Sequence, residues 1–502
     1  MPILKPPSRS KPISVPIFAV SWHTSPALLP RHIYACSGGG GSSKTGIDNF
    51  VEAVITCPEK GETVIKISTG DDVGVAVDTY SFVSNKEQKI VTVLLAVGLK
   101  DSVVIYRIEL GNENDEHEND NAAKLIGSLD CGKDFQTNTV AFDALGGRVA
   151  VGGENTAVVV CRLKWEGPAS LHLEKEFELS GHIKGICKIT FHPTNANVLL
   201  TSAKDATCRV WDLTKNEGEQ CLDTLECKIF DPNDLAKGKP IPKKILTPAP
   251  GQCLVKGCAF ADLQGQFIYT IQSGRRGNSF LSIWRITRMP IIDQSKENTG
   301  DQPPAGSNDA PQQQQPPKFK IGFQEQKRIK VANYPISAVS LSGDFEQLAL
   351  GDTDGTVMLW NTETWKKVKT WECIHDLPIT CIASRPLPMP LAGEDKTGVT
   401  IDAICSSADS KMCFLTKQRK STLRKPRKKR SGGGKRSSGI SLTFAFMIIF
   451  LAWAIKVTYD VCSDEFEGAS SLDDLQNIIV GCAIHTVWWA NADRPGVGFV
   501  PT

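Results

Sequence analysis

No CxxC pair occurs among the sixteen cysteines, and no cysteine–histidine group has the spacing of a zinc site. The cysteines are scattered singly, several of them (Cys161, Cys187, Cys208, Cys258) inside apolar runs. They read as small buried hydrophobes of a reducing compartment rather than a disulfide framework. No GxSxG, no HExxH and no paired carboxylates in a defined context appear, so the usual hydrolase signatures are missing. Residues 1–14 are basic and proline-rich and contain no apolar signal-peptide core, so no N-terminal signal peptide is expected. Charge of one sign is missing too: 57 Lys and Arg against 55 Asp and Glu give a net charge of +2. That balance carries no global bias toward a polyanion, so only local charge is informative. With 502 residues, 41% of them hydrophobic, the chain is globular in composition and too long for one ordinary compact core.

A period of about forty residues runs through residues 15–416. The clearest unit is Phe177 to Leu213, with Gly181-His182 near its start and Trp211-Asp212 near its end. His182, Ser202, Trp211 and Asp212 are expected to form its buried structural network. Weaker units lie at 17–53, 90–108, 140–163, 257–286, 336–362 and 376–416. Each repeats an aliphatic run, a Gly or Ser, an Asp-containing turn and a second aliphatic run. Alternation of apolar and polar residues suits half-buried strands. Seven four-stranded units predict an all-β fold, a seven-bladed β-propeller over residues 1–416, with first and last blades sharing strands. Three insertions interrupt the repeats. They are the acidic stretch 111–121, the Lys- and Pro-rich 231–251, and 292–317, which has the composition of a disordered rim loop.

The aspartates Asp101, Asp205, Asp354 and Asp409 recur where turns are expected. His182 reads as a repeat histidine, and His375 holds the matching place in the last repeat. The census thus yields no catalytic acid, base or nucleophile, and a protein that is not itself an enzyme is expected.

One run stands out: Gly38-Gly39-Gly40-Gly41-Ser42-Ser43-Lys44-Thr45-Gly46-Ile47. Its likeness to a phosphate-binding loop fails twice. Ser43 takes the place of the second required glycine, and Gly46 is followed by a return to strand rather than a helix. A loose hairpin is one reading. A cage of backbone carbonyls and hydroxyls is another, and such a neutral, oxygen-only set suits a large monovalent cation.

Residues 440–459 (ISLTFAFMIIFLAWAIKVTY) have the length of a single transmembrane helix. Residues 417–436 hold eleven Lys or Arg and no acid, whereas 460–502 hold seven acids and one Arg. The positive-inside rule then places the propeller in the cytosol and the tail in the lumen. The basic segment 417–439 serves as a juxtamembrane linker on anionic lipid. No basic patch interleaved with aromatics points to nucleic acid.

A propeller of WD repeats on a C-terminal span, with GGGGSSKTGI in its first blade, resembles one family. These are the guanine-nucleotide exchange factors for Sar-type small GTPases, the prolactin regulatory element-binding protein family of animals, which start COPII coats at the endoplasmic reticulum. The resemblance runs from about residue 15 to 460. It implies a protein of the endoplasmic reticulum membrane whose partner is a Sar-type GTPase, with no small-molecule substrate. It also implies that the loop Gly38–Ile47 is ordered by a potassium ion and projects toward the GTPase nucleotide site. Gly39, Gly40, Gly41, Ser42 and Ser43 are the implied potassium ligands, and Ile47 the apolar residue pushed against the GTPase. The alternative is a membrane-anchored WD-repeat scaffold that binds partners without altering nucleotide release.

Overall fold

The protein is described from a computed structural model. The described residues lie within 8–418, leaving out 14, 24–27, 29–30, 42–45, 58–60, 86–89, 112–122, 168–169, 228–252, 275–276, 291–318 and 387–398. They form twenty-eight strands arranged as seven four-stranded antiparallel sheets. The first strand, β1 (Ser8–Pro12), is set aside for the last sheet. Blade 1 is β2 (Ile17–His23), β3 (His32–Gly38), β4 (Asn49–Cys57) and β5 (Gly61–Gly70). Blade 2 is β6 (Ala76–Asn85), β7 (Ile90–Gly98), β8 (Ser102–Leu110) and β9 (Lys124–Asp130); blade 3 is β10 (Thr137–Phe142), β11 (Arg148–Gly153), β12 (Val158–Gly167) and β13 (Ser170–Leu179). Blade 4 is β14 (Ile186–Phe191), β15 (Val198–Ala203), β16 (Thr207–Asp212) and β17 (Cys221–Glu226); blade 5 is β18 (Cys253–Phe260), β19 (Phe267–Gly274), β20 (Ser279–Pro290) and β21 (Phe319–Ala332). Blade 6 is β22 (Ile336–Leu341), β23 (Gln347–Asp352), β24 (Val357–Asn361) and β25 (Lys366–Trp371). Blade 7 is β26 (Ile379–Ser384), β27 (Val399–Ser407) and β28 (Lys411–Gln418), completed by β1 as its outer strand.

The expected seven-bladed propeller is therefore present. The strand shared between first and last blades is β1, paired antiparallel with β28 from Ser8↔Leu415 to Pro12↔Lys411. Closure is reinforced at the inner strands, where Thr380 Oγ1 donates to Ile17 O at 2.6 Å. The repeat visible in the sequence is offset from the blade. Its opening residues, Phe177–Leu179, belong to the outer strand β13 of blade 3, and the rest to blade 4.

Small residues in the second strand of each repeat let the next blade approach. A Cβ on Gly152 would sit 2.8 Å from the Ile186 side chain, and one on Gly351 would sit 2.6 Å from Ile379. Both contacts are shorter than carbon atoms tolerate, so glycine sets the spacing between the second strand of one blade and the inner strand of the next. The core is divided into clusters that bridge blades. Val51 and Ile55 of blade 1 pack with Val93 and Leu95 of blade 2, and Leu200 and Val210 of blade 4 with Val255 and Ile268 of blade 5.

Strand β28 runs to Gln418, two residues past the domain end expected at 416. The insertion at 292–317 falls at the tip of the long β20–β21 hairpin, whose last pair is Pro290↔Phe319. That insertion, 231–251 and all of 111–121 but Gly111 lie outside the described residues, as do nearly all of the basic linker 417–439, the expected membrane span 440–459 and the expected lumenal tail 460–502. Among the described residues no helix is long and apolar enough to cross a membrane.

Candidate functional site

The glycine run joins β3 to β4, the second and third strands of blade 1. Strands alternate in direction, so this loop emerges on the same face as the β5–β6 turn and the other loops that lead into each blade. Two contacts fix that neighbourhood: Ser37 Oγ donates to Gly74 O at 2.5 Å, and Gly39 N donates to Pro16 O at 3.1 Å.

A buried asparagine closes the base. Asn49 Oδ1 accepts from Gly41 N at 2.9 Å, while its Nδ2 donates to Gly41 O at 3.2 Å and to Gly70 O at 3.1 Å. Its side chain thus satisfies a backbone donor and two backbone acceptors that would otherwise be left unpaired at a sheet end. Gly39 is packed against it. At φ +147° a Cβ here would lie 2.2 Å from Asn49 Oδ1 and 2.7 Å from Asn49 Cα. A Cβ on Gly38 would lie 2.4 Å from Pro16 O.

Farther along, Gly41 and Gly46 both have φ +73°, and nothing stands within 4 Å of a Cβ added to either. Ile47 is 39% exposed, and Gly46 and Asp48 beside it are exposed. The described part of the run therefore divides into a built base, Gly38 and Gly39 packed on Pro16 and Asn49, and an open end at Gly46 and Ile47. Ser42, Ser43, Lys44 and Thr45 lie outside the described residues.

The implied potassium set meets this base only in part. The carbonyls of Gly41 and Gly70 already converge on the Asn49 amide nitrogen, which draws them together as a cation would. Gly39 is committed to its contact with Asn49. Asn49 was not singled out in the sequence. Its signal is an Asn directly ahead of an apolar strand, where an Asx side chain can bond nearby backbone.

The network of the clearest repeat differs by strand parity from the expected one. His182 Nε2 and Trp211 Nε1 both meet Thr201 Oγ1, at 2.7 and 2.8 Å, and His182 Nδ1 meets Asp205 Oδ2 at 2.9 Å. Ser202 is not part of it. Side chains alternate along β15, so Ser202 faces the opposite side, across from Cys208, and its buried hydroxyl has no partner among the described residues. Asp212 is not part of it either, because it caps the following turn by accepting from Thr214 N and Oγ1 at 3.0 and 2.7 Å. Burial disfavours ionised Asp205, but hydrogen bonds led by His182 outweigh it and hold the carboxyl at about 2.

Blade 7 repeats the arrangement with sulfur. His375 Nδ1 meets Asp409 at 2.9 Å, and His375 Nε2 meets Cys405 Sγ at 3.5 Å. Cys405 stands opposite Cys413 across the β27–β28 ladder. Hydrogen bonding from Cys405 and then His375 holds the Cys413 thiol below its ordinary range, whereas burial pushes Cys405 up. Both repeat histidines are thus engaged in structural contacts.

Residues 173–212 match the family described as WD40: WD domain, G-beta repeat. Coronin-7 from Homo sapiens is 42% identical over 83 residues, which is 16% of this chain and 9% of that protein. Coronin-7 from Pongo abelii is 41% identical over 83 residues, with the same coverage of 16% and 9%. The aligned stretch spans under a tenth of the length of these curated relatives. Among solved structures, the Crystal structure of Chaetomium thermophilum Raptor aligns with 82% of this chain and 29% of that one, at 12% identity and a TM-score of 0.49. The chain is a seven-bladed β-propeller that matches the WD repeat at residues 173–212.

Proposed function

We propose that this propeller is a protein-binding platform whose glycine-loop face contacts a Sar-type small GTPase and promotes release of its GDP. The observation that carries the reading is the divided glycine run. Asn49 locks the base at Gly41 and Gly70, and at the far end of the run Gly46 and the apolar Ile47 stand exposed. Locking the base limits the ordering entropy lost on contact, while Gly46 and Ile47 are exposed to another protein's surface. The same face carries the exposed apolar residues Ile183, Tyr334 and Leu377 on loops leading into blades 4, 6 and 7. Such a set suits a broad protein contact.

Exchange on this reading is differential binding. The platform holds the nucleotide-free GTPase more tightly than the GDP form, so GDP is expelled and GTP loads by mass action. No acid, base or nucleophile of this chain is required. Residues 440–459 would tether the platform to the endoplasmic reticulum membrane, with 417–439 on its cytosolic leaflet and 460–502 in the lumen. A potassium ion on the oxygens of the open segment would stiffen it by drawing its carbonyls inward.

The test is release of fluorescent GDP from a Sar-type GTPase by the full chain, in potassium and in sodium. The reading expects acceleration, greater in potassium. Binding without acceleration would leave the plain scaffold function, and equal rates without binding would remove both.

A further inference from the structure

Blade 6 lacks the network that blade 4 builds, and a groove stands in its place. Trp360 aligns with Trp211, six residues after Asp354 as Trp211 is after Asp205. Leu350 then occupies the place of Thr201 and offers no acceptor. The loop leading into the blade is also shorter. Three residues, 333–335, separate β21 from β22, where six, 180–185, separate β13 from β14, and none of the three is a histidine. Among the described residues the buried Trp360 Nε1 consequently has no hydrogen-bond partner. Beside it lies a groove of about 570 Å³ at the junction of blades 5 and 6, lined by Tyr334, Asp352, Asp354, Met358, Trp360 and Glu372. Its size falls in the ordinary range for ligand sites, about 300–1,000 Å³.

The charges in the groove are placed unevenly. Asp352 is 3% exposed, and its Oδ1 accepts from Asp354 N and Thr356 N at 3.0 Å each. Among the described residues no donor meets its Oδ2. Burial pushes its carboxyl up from the ordinary value, as expected of a carboxylate short of a countercharge. Asp354 and Glu372 stand exposed at the rim. The cations facing the groove are Lys330, which is exposed, and Lys367, whose Nζ lies 5.7 Å from the Trp360 ring centroid. Three carboxylates thus outnumber two ammonium groups.

We infer that this groove receives an arginine side chain from an extended segment of a protein partner. A guanidinium is planar, can bond a carboxylate with two parallel N–H donors and stacks on aromatic faces, and the half-exposed ring of Tyr334 offers one. The groove is separate from the glycine run and does not depend on the exchange reading.

The test uses the full chain and three probes, acetyl-Gly-Arg-Gly-amide and its citrulline and glutamate counterparts, titrated by calorimetry. The arginine probe is expected to bind about tenfold more tightly than the citrulline probe, the worth of one charge-assisted pair. Asp352→Asn is expected to erase that difference while keeping the Oδ1 acceptor. If Asp352→Asn does not fold, Glu372→Gln, at an exposed position, is expected to narrow the difference at unchanged thermal stability. Equal binding of arginine and citrulline, preference for glutamate, or no heat with any probe to about 5 mM, a Kd range worth about 3 kcal/mol, overturns the inference.

Discussion

Gly39 and Gly46 are both glycines with positive φ, yet alanine should affect them very differently. At Gly46, where φ is +73° and nothing lies within 4 Å of an added Cβ, the cost is left-handed backbone strain alone. That strain is about 1–2 kcal/mol for an L-residue. At Gly39, where φ is +147°, the added Cβ would meet Asn49 Oδ1 at 2.2 Å and Asn49 Cα at 2.7 Å. The second atom is backbone and cannot swing aside, so Asn49 has to move. Its three hydrogen bonds, to Gly41 N, Gly41 O and Gly70 O, are then lost. Each is worth about 1 kcal/mol net. Strain and lost bonds together make about 4–5 kcal/mol for Gly39→Ala. Urea unfolding of the full chain, followed by tryptophan fluorescence, gives the comparison. A difference of about 3 kcal/mol between the two variants is expected. Equal costs would refute the division of the run into a built base and an open segment. The same geometry rules out valine at Gly39 as a clean probe of function, because loss of activity there would follow from loss of structure.

Thr201→Val strands both His182 Nε2 and Trp211 Nε1 in the core and should cost about 2–4 kcal/mol, whereas Ser202→Ala, removing an unpartnered hydroxyl, should cost little; denaturant midpoints check both. Asp205 is held at about 2 against an ordinary 3.8, so its contribution is full above pH ~4 and is lost as pH falls through about 2. At neutral pH that contribution is about 2 kcal/mol, and Asp205→Asn should flatten the stability profile across this acid window. Deleting residues 1–12 removes β1 and its five ladder pairs with β28, leaving the outer edge of blade 7 open. Light scattering during a thermal ramp should then show aggregation at a lower temperature; an unchanged profile would mean that β1 does not close the ring.

The repeats were legible because their cues are local. His182, Trp211 and the aspartate turns mark blade 4, and alternating aliphatics mark the remaining strands. Parity was less legible: Thr201 and Ser202 are adjacent and chemically alike, and only the register with Arg209 and Cys208 decides which faces Trp211. Asp205 was read as a turn residue, which it is, but its carboxylate also reaches His182 twenty-three positions away. Closure by β1 was not assignable because its partner β28 lies some four hundred residues downstream and its own sequence, Ser-Arg-Ser-Lys-Pro, has no strand pattern. At the glycine run the sequence announces backbone freedom but not where it is used. Asn49 and Gly70, distant in sequence and joined by a hydrogen bond, separate the base from the tip.

The central claim is that the open part of the glycine run, ending at Ile47, is the contact that displaces GDP. The most direct measurement is the rate of GDP release from a Sar-type GTPase with the full chain, wild type against Ile47→Asp, with unfolding midpoints measured in parallel. The account predicts that the wild-type chain accelerates release and that Ile47→Asp loses at least about 1.4 kcal/mol of that effect, a tenfold fall in rate, at an unchanged midpoint. Equal acceleration by both proteins, or none by the wild type, would contradict it.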